Sequence, residues 1–132
     1  MSEPVAPFLS AWFEIMDSDT PHRILDLISD DFRFAILFST GDDAATDFSG
    51  GRPALEGYLR QRERGTRTHH RLSASVADPD EFFLGEVRRG GQFEATFTAV
   101  GRVDPKGRLS QLLIARSPGV SFPDLDGQTE LI

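Results

Sequence analysis

Residues 81–103 read EFFLGEVRRGGQFEATFTAVGRV, and this stretch decides the fold. Phe93, Ala95, Phe97 and Ala99 alternate with mostly polar residues, the period-two pattern of a strand with one buried face. Gly90-Gly91 stands between two such runs, where a tight hairpin needs residues that accept positive φ. Strands are therefore expected over 81–89 and 92–103. Towards the C-terminus, Asp104-Pro105-Lys106-Gly107 is a turn signal and 109–116 a further strand. Towards the N-terminus, Asp78-Pro79-Asp80 is a turn and 67–76 a long strand. Together these make an antiparallel meander, with Gly85 and Gly101 as candidate bend or bulge positions.

The first half has a different period. Val5, Phe8, Leu9, Trp12, Phe13 and Met16 recur at helical spacing, so 5–16 reads as an amphipathic helix ended by Asp17-Ser18-Asp19. Thr20-Pro21 opens a short second helix with Ile24, Leu25, Leu27 and Ile28 on its buried side. After Asp30-Asp31, residues 32–39 form a first strand. A polar loop over 41–51 follows, with room for a brief strand at 46–48. Pro53 then starts a third helix carrying Leu55, Tyr58 and Leu59, which Gly65 stops. Helices gathered ahead of a run of strands indicate an α+β fold, with three N-terminal helices packed on a curved, mainly antiparallel sheet. One domain spans 1–132, with its core over about 5–117 and an irregular tail at 118–132.

The composition narrows the function. The chain has 132 residues and a net charge of −7, so it lacks the basic face that nucleic-acid binding requires. It has no cysteine, which excludes disulfides, thiolate metal sites and a cysteine nucleophile. Residues 1–8 lack the basic start and apolar run of a signal peptide, and no stretch reaches membrane-spanning length. A cytoplasmic protein without nucleic-acid or membrane partners is expected. Eleven phenylalanines suggest a core or a cavity wall built of rings.

The layout resembles the SnoaL-like and ketosteroid-isomerase-like branch of the nuclear transport factor 2-like superfamily. The residues that carry the resemblance are 8–13 before an acidic break, 24–34, Gly51-Arg52-Pro53-Ala54-Leu55 through Tyr58-Leu59, and 101–109. The resemblance implies an α+β cone whose open end binds a small apolar molecule, and a homodimer formed through the outer sheet face. It implies no cofactor and no metal. It also locates the ketosteroid isomerase acids: the base on the first strand falls near Ile36, and the oxyanion donors fall near Ala99 and Trp12. A methyl group supplies no proton, and an indole only its N–H, so steroid-isomerase chemistry is not expected. The homodimer has support in the residues themselves, since Thr96, Thr98, Val100 and Arg102 make a face of mild polarity.

His69-His70 opens the long strand and suits proton transfer near neutral pH. Adjacent strand residues face opposite ways, and His70 shares its parity with Leu72 and Ala74, so His70 is the expected inward residue. Asp31, at the mouth of the first strand, is its candidate partner, although Asp30-Asp31 equally suits a turn. The resemblance puts a histidine and an aspartate near these places in dehydratase-like relatives. Asp42, Asp43 and Asp47 read as a solvated loop rather than a metal site. Glu86 and Arg88 fit either a polar pocket or an ion-paired ladder on one strand face. The expected ligand-contacting wall is Trp12, Met16, Phe34, Ile36, Phe38, Tyr58, Phe82, Phe97, Ala99 and Leu113, with Phe13 beside it. Two functions stay open: a ligand-binding domain, or a cofactor-independent cyclase- or dehydratase-type enzyme using His70 with Asp31.

Overall fold

The computed structural model describes residues 5–37, 47–61 and 66–127. Phe38, Asp42, Asp43 and Gly65 lie outside the described residues. Helix α1 spans Pro7–Met16 and buries Leu9, Trp12, Phe13 and Met16 of the expected stripe, while Val5 precedes the helix and is exposed. The second expected helix is instead a single 3₁₀ stretch, Pro21–Asp26, burying only Ile24. The apolar residues at 24–28 are too few turns for an α-helix, and the chain continues directly into strand β1, Ile28–Leu37. β1 thus starts at Ile28, ahead of the expected 32, with Asp30 and Asp31 inside the strand. A brief β2, Phe48–Gly50, precedes helix α2, Arg52–Gln61. The two N-terminal α-helices are therefore separated by two strands.

The remaining strands are β3, Arg67–Ala77, β4, Asp80–Arg89, β5, Gln92–Val103, and β6, Leu109–Pro118. Gly90 (φ 58°) and Gly91 (φ 82°) form the β4–β5 turn, both in the left-handed region. The sheet order is β2-β1-β6-β5-β4-β3. Only β1·β6 is parallel, and the described strands do not close into a barrel. The part of the tail that is described forms a 3₁₀ turn, Phe122–Gly127. Thr96 ties it down: its hydroxyl donates to Val120 O (2.6 Å) and accepts from Phe122 N (3.1 Å).

The ladders shift register in four places, one of them in β1 between Ile28 and Arg33 and three in the later strands. In β3 the partners jump from Arg71↔Gly85 to Ser73↔Leu84, leaving Leu72 unpaired. In β5 they jump from Ala95↔Val87 to Phe93↔Arg88 around Glu94. In β6 they jump from Leu109↔Val103 to Gln111↔Arg102 around Ser110. Each extra residue exchanges the two faces of its strand beyond that point.

The helices and the concave sheet face enclose a core of Leu9, Ile24, Ile28, Phe32, Leu55 and Leu109, all at most 1% exposed. At this end α1 has no side-chain cap of its own, and Ala6 adopts φ 53°. Glu81, only 4% exposed, supplies the cap from β4. Its carboxylate accepts Leu9 N–H (2.9 Å) and Phe8 N–H (3.3 Å), placing negative charge on the helix N-terminus.

Candidate functional site

At the other end of the concave face a narrow cleft opens between α1, α2 and the sheet. Trp12, Phe13 and Met16 of α1 and Tyr58 of α2 form one side, and Ile36, His69, Val87, Phe97, Ile114 and Arg116 come from the strands. About 30 Å³ is open to the centre of a water-sized molecule, enough for ordered water; a ring would enter only as wall side chains shift. Met16, unbranched with freely rotating bonds, is the wall residue best suited to yield.

Phe97 forms the floor because its partner across the ladder is Gly85. A Cβ on Gly85 would lie 2.5 Å from Phe97 Cζ and 2.8 Å from His70 O, so only glycine lets the ring lie there. Phe13 packs 4.9 Å from Phe97 and 4.9 Å from His69, and Phe97 meets the His69 ring edge-on at 5.4 Å.

Asp17, the residue that ends α1, clasps His69. One carboxylate oxygen accepts from His69 Nδ1 (2.7 Å) and the other from the His69 backbone N–H (2.7 Å). Both side chains are mostly shielded, at 18% and 19% exposed. An ionised carboxylate only accepts, so the neutral imidazole carries its proton on Nδ1 and leaves Nε2 as the acceptor. This is the geometry of a positioned proton-transfer group whose tautomer is set by its partner.

The structure therefore reverses the choice within the histidine pair. His69, not His70, lines the cleft. The alternation used for His70 ran through Leu72 and Ala74, and the bulge at Leu72 lies between them and the histidines. His70 pairs with Glu86 on the outer face and contacts Thr68 Oγ1 (2.7 Å). Asp31 is exposed and accepts from Ser29 Oγ (2.7 Å) rather than holding a histidine. Asp17, read only as a helix stop, fills the partner role.

Of the expected wall, Trp12, Met16, Ile36, Tyr58 and Phe97 line the cleft. Phe34 stacks on Phe32 in the core (5.8 Å), and Ala99 is buried away from the cleft. Phe82 and Leu113 lie on the outer face, 38% and 46% exposed. For Leu113 the cause is the Ser110 bulge, which turns Leu112 and Ile114 inwards in its place. Phe82 has the parity of Glu86 and Arg88, which pair with each other on that face (Nε–Oε1 2.8 Å).

Sequence reasoning missed Arg116. Its side chain is 10% exposed, and it donates from Nη2 to Glu94 Oε1. The same oxygen accepts from Arg67 Nε (2.7 Å). Burial pushes the Glu94 carboxyl up, but the hydrogen bonds and charges of the two arginines outweigh it and hold it below the ordinary carboxylate value. Among the described residues no group of three or more His, Asp or Glu side chains is placed to hold a metal, and no helix is long and apolar enough to cross a membrane.

No protein-family model matches the chain, and no curated protein matches it in sequence. Solved structures do. A proposed isomerase of the SnoaL-like family from Agrobacterium tumefaciens superposes with TM-score 0.61 at 13% identity, covering 83% of this chain and 94% of that one. A proposed polyketide cyclase from Sinorhizobium meliloti gives 0.61 at 14%, covering 83% and 94%. A proposed ketosteroid isomerase from Kribbella flavida gives 0.60 at 9%, covering 95% and 87%. The fold is thus the one shared by SnoaL-like and ketosteroid-isomerase-like proteins of the nuclear transport factor 2-like superfamily, as the sequence resemblance implied. At these identities the likeness is one of fold and carries no activity with it.

Proposed function

We propose that the chain is a small cofactor-independent enzyme that moves a proton on an apolar small molecule, in the manner of a cyclase, dehydratase or isomerase. His69 is the general base and acid, and Asp17 is the residue that positions it. The observation carrying this reading is the two-oxygen clasp of His69 by Asp17 at the wall of an aromatic cleft. Ile36 and Trp12 line that cleft; the sequence resemblance assigns to these places the base and an oxyanion donor of a ketosteroid isomerase, and an aliphatic group and an indole supply no carboxylate, so the chemistry proposed is not that of a ketosteroid isomerase.

Turnover of 5-nitrobenzisoxazole tests the reading, because removal of its ring C–H proton with cleavage of the N–O bond releases a coloured phenolate. His69→Gln should lower the rate about 10²-fold, the low end for loss of a general base. A rate unaffected by that change removes the proposal. A second reading, a binding domain without turnover, rests on Asp17 also holding the His69 backbone N–H, which makes the carboxylate a strut between α1 and β3. The same assay separates the two.

The assembly proposed is a homodimer through the outer sheet face. Ala35, Leu113, Val100, Phe82 and Ser75 are successive ladder partners on five adjacent strands, a row across that face that is apolar at its first four positions. The Asp80–Arg102 ion pair (2.7 Å) borders it. Leu113→Arg should turn a dimer into a monomer in light scattering; a wild-type monomer at micromolar concentration would refute it.

A further inference from the structure

We infer that the ligand of the cleft is a neutral, flat molecule that donates a hydrogen bond: a ring bearing an O–H or N–H that meets His69 Nε2. The inference rests on the reading of the cleft as a small-molecule site and deepens it.

Asp17 fixes what His69 can offer. Its two oxygens take the His69 backbone N–H and the Nδ1–H, each at 2.7 Å. The two nitrogens of an imidazole point in nearly opposite directions, so Nε2 faces away from the carboxylate, and in the neutral ring it only accepts. No described residue donates to it. The side chain lines the cleft and is 18% exposed, so a donor reaches Nε2 from the cleft. Phe13 at 4.9 Å and the edge-on Phe97 at 5.4 Å pack against the ring and carry no conventional donor. Water can fill the place, and about 30 Å³ has room for it. A ligand's own O–H or N–H replaces that water without losing the hydrogen bond, whereas a group that only accepts loses it.

Charge and shape select further. The Asp17 carboxylate stands behind the imidazole, and its hydrogen bond on Nδ1 polarises the ring so that Nε2 is the stronger acceptor. The same negative charge opposes an anion in front of the ring. Arg116, on the cleft wall, donates to Glu94, so the charged groups here are of both signs and do not select an ion. Phe97 lies flat over Gly85, where a Cβ would stand 2.5 Å from the ring, and Trp12 and Met16 of α1 face the sheet across the slot. Walls of rings suit a planar occupant.

The indole N–H resonance of Trp12, the chain's one tryptophan and a wall of the cleft, reports binding in the ¹⁵N-labelled full chain, and the His69 Nε2 shift reports the hydrogen bond. At about pH 8, where a phenol keeps its proton, phenol is titrated against anisole, indole against 1-methylindole, and benzoate as a ring that only accepts. Phenol and indole should bind about 10-fold more tightly than their methylated partners. They should move His69 Nε2 upfield, and the methylated compounds should not. Benzoate should bind no more tightly than anisole. His69→Phe should erase the preference; the wild-type pairs carry the test even if that variant folds poorly. Equal binding within both pairs, tighter binding of benzoate than of phenol, or a His69 Nε2 signal that stays put while Trp12 responds overturns the donor ligand and leaves the small-molecule site standing. If no compound moves the Trp12 resonance, the small-molecule reading falls and the donor ligand falls with it.

Discussion

The two ends of the concave face are built to opposite rules. At the closed end Leu9, Ile28 and Leu109 are at most 1% exposed, and the buried carboxylate of Glu81 is spent on the first backbone N–H groups of α1. At the open end Tyr58, His69, Asp17 and Arg116 keep polar atoms at or near a cleft. The same helix serves both: its N-terminus is capped by β4, and the residue just after it orients a histidine on β3. The closed end should hold most of the stability and the open end most of the chemistry.

That contrast can be broken. The largest effect should come from Leu9→Ala, which empties a fully buried site and should cost about 2–5 kcal/mol. The check is a shift of the urea midpoint at constant slope. Met16→Leu at the open end is nearly volume-conserving and should cost less than about 1.5 kcal/mol. Comparable losses at both sites would contradict the division.

Glu81→Ala comes next. It leaves Phe8 and Leu9 N–H groups without their acceptor and should cost about 1–3 kcal/mol by the same denaturation. Gly85→Ala should cost a similar amount, about 1–3 kcal/mol by overpacking. It should also displace the Trp12 resonance, because the new methyl group meets the Phe97 ring and the His70 carbonyl. A normal Trp12 resonance in that variant would show that the cleft floor does not depend on the glycine.

The smallest effect is electrostatic. Glu94 is held below its ordinary value of 4.5, so its ionised form is favoured in the folded state. That stabilisation is present in full above the unfolded value and is lost as pH falls through the folded one. Glu94→Gln should flatten the acid limb of stability by less than about 1 kcal/mol while leaving Leu9→Ala additive with it. An acid limb unchanged by Glu94→Gln would show that its two arginines do not stabilise the fold.

The division also explains what the sequence could disclose. Helix α1 and the β4–β5 hairpin were legible because their apolar period holds over most of their length: the stripe at 9, 12, 13 and 16, and the run 95, 97, 99 that faces inwards, with Phe93 alone turned outwards by the bulge at Glu94. The candidate site was half legible. Trp12, Tyr58 and Phe97 follow from period and residue type. His69, Ile114 and Arg116 did not, since each lies where a bulge has exchanged the strand faces, and alternation carries no mark of an extra residue. Leu72 and Ser110 are ordinary strand residues, so nothing in their type announces the slip. Asp17 was hidden for another reason: its role is set by a strand 52 positions away. Glu81 had a detectable signal, a carboxylate with the inward parity of Phe83.

The most direct test of the account is the protonation of the neutral His69 ring, read from ¹⁵N chemical shifts in wild type and Asp17→Asn. The account predicts the Nδ1–H form in wild type, with Nε2 as the free acceptor. It predicts that this preference is lost in the variant while the His70 signals stay unchanged. An Nε2–H form of His69 in wild type, or a tautomer indifferent to Asp17, would contradict it.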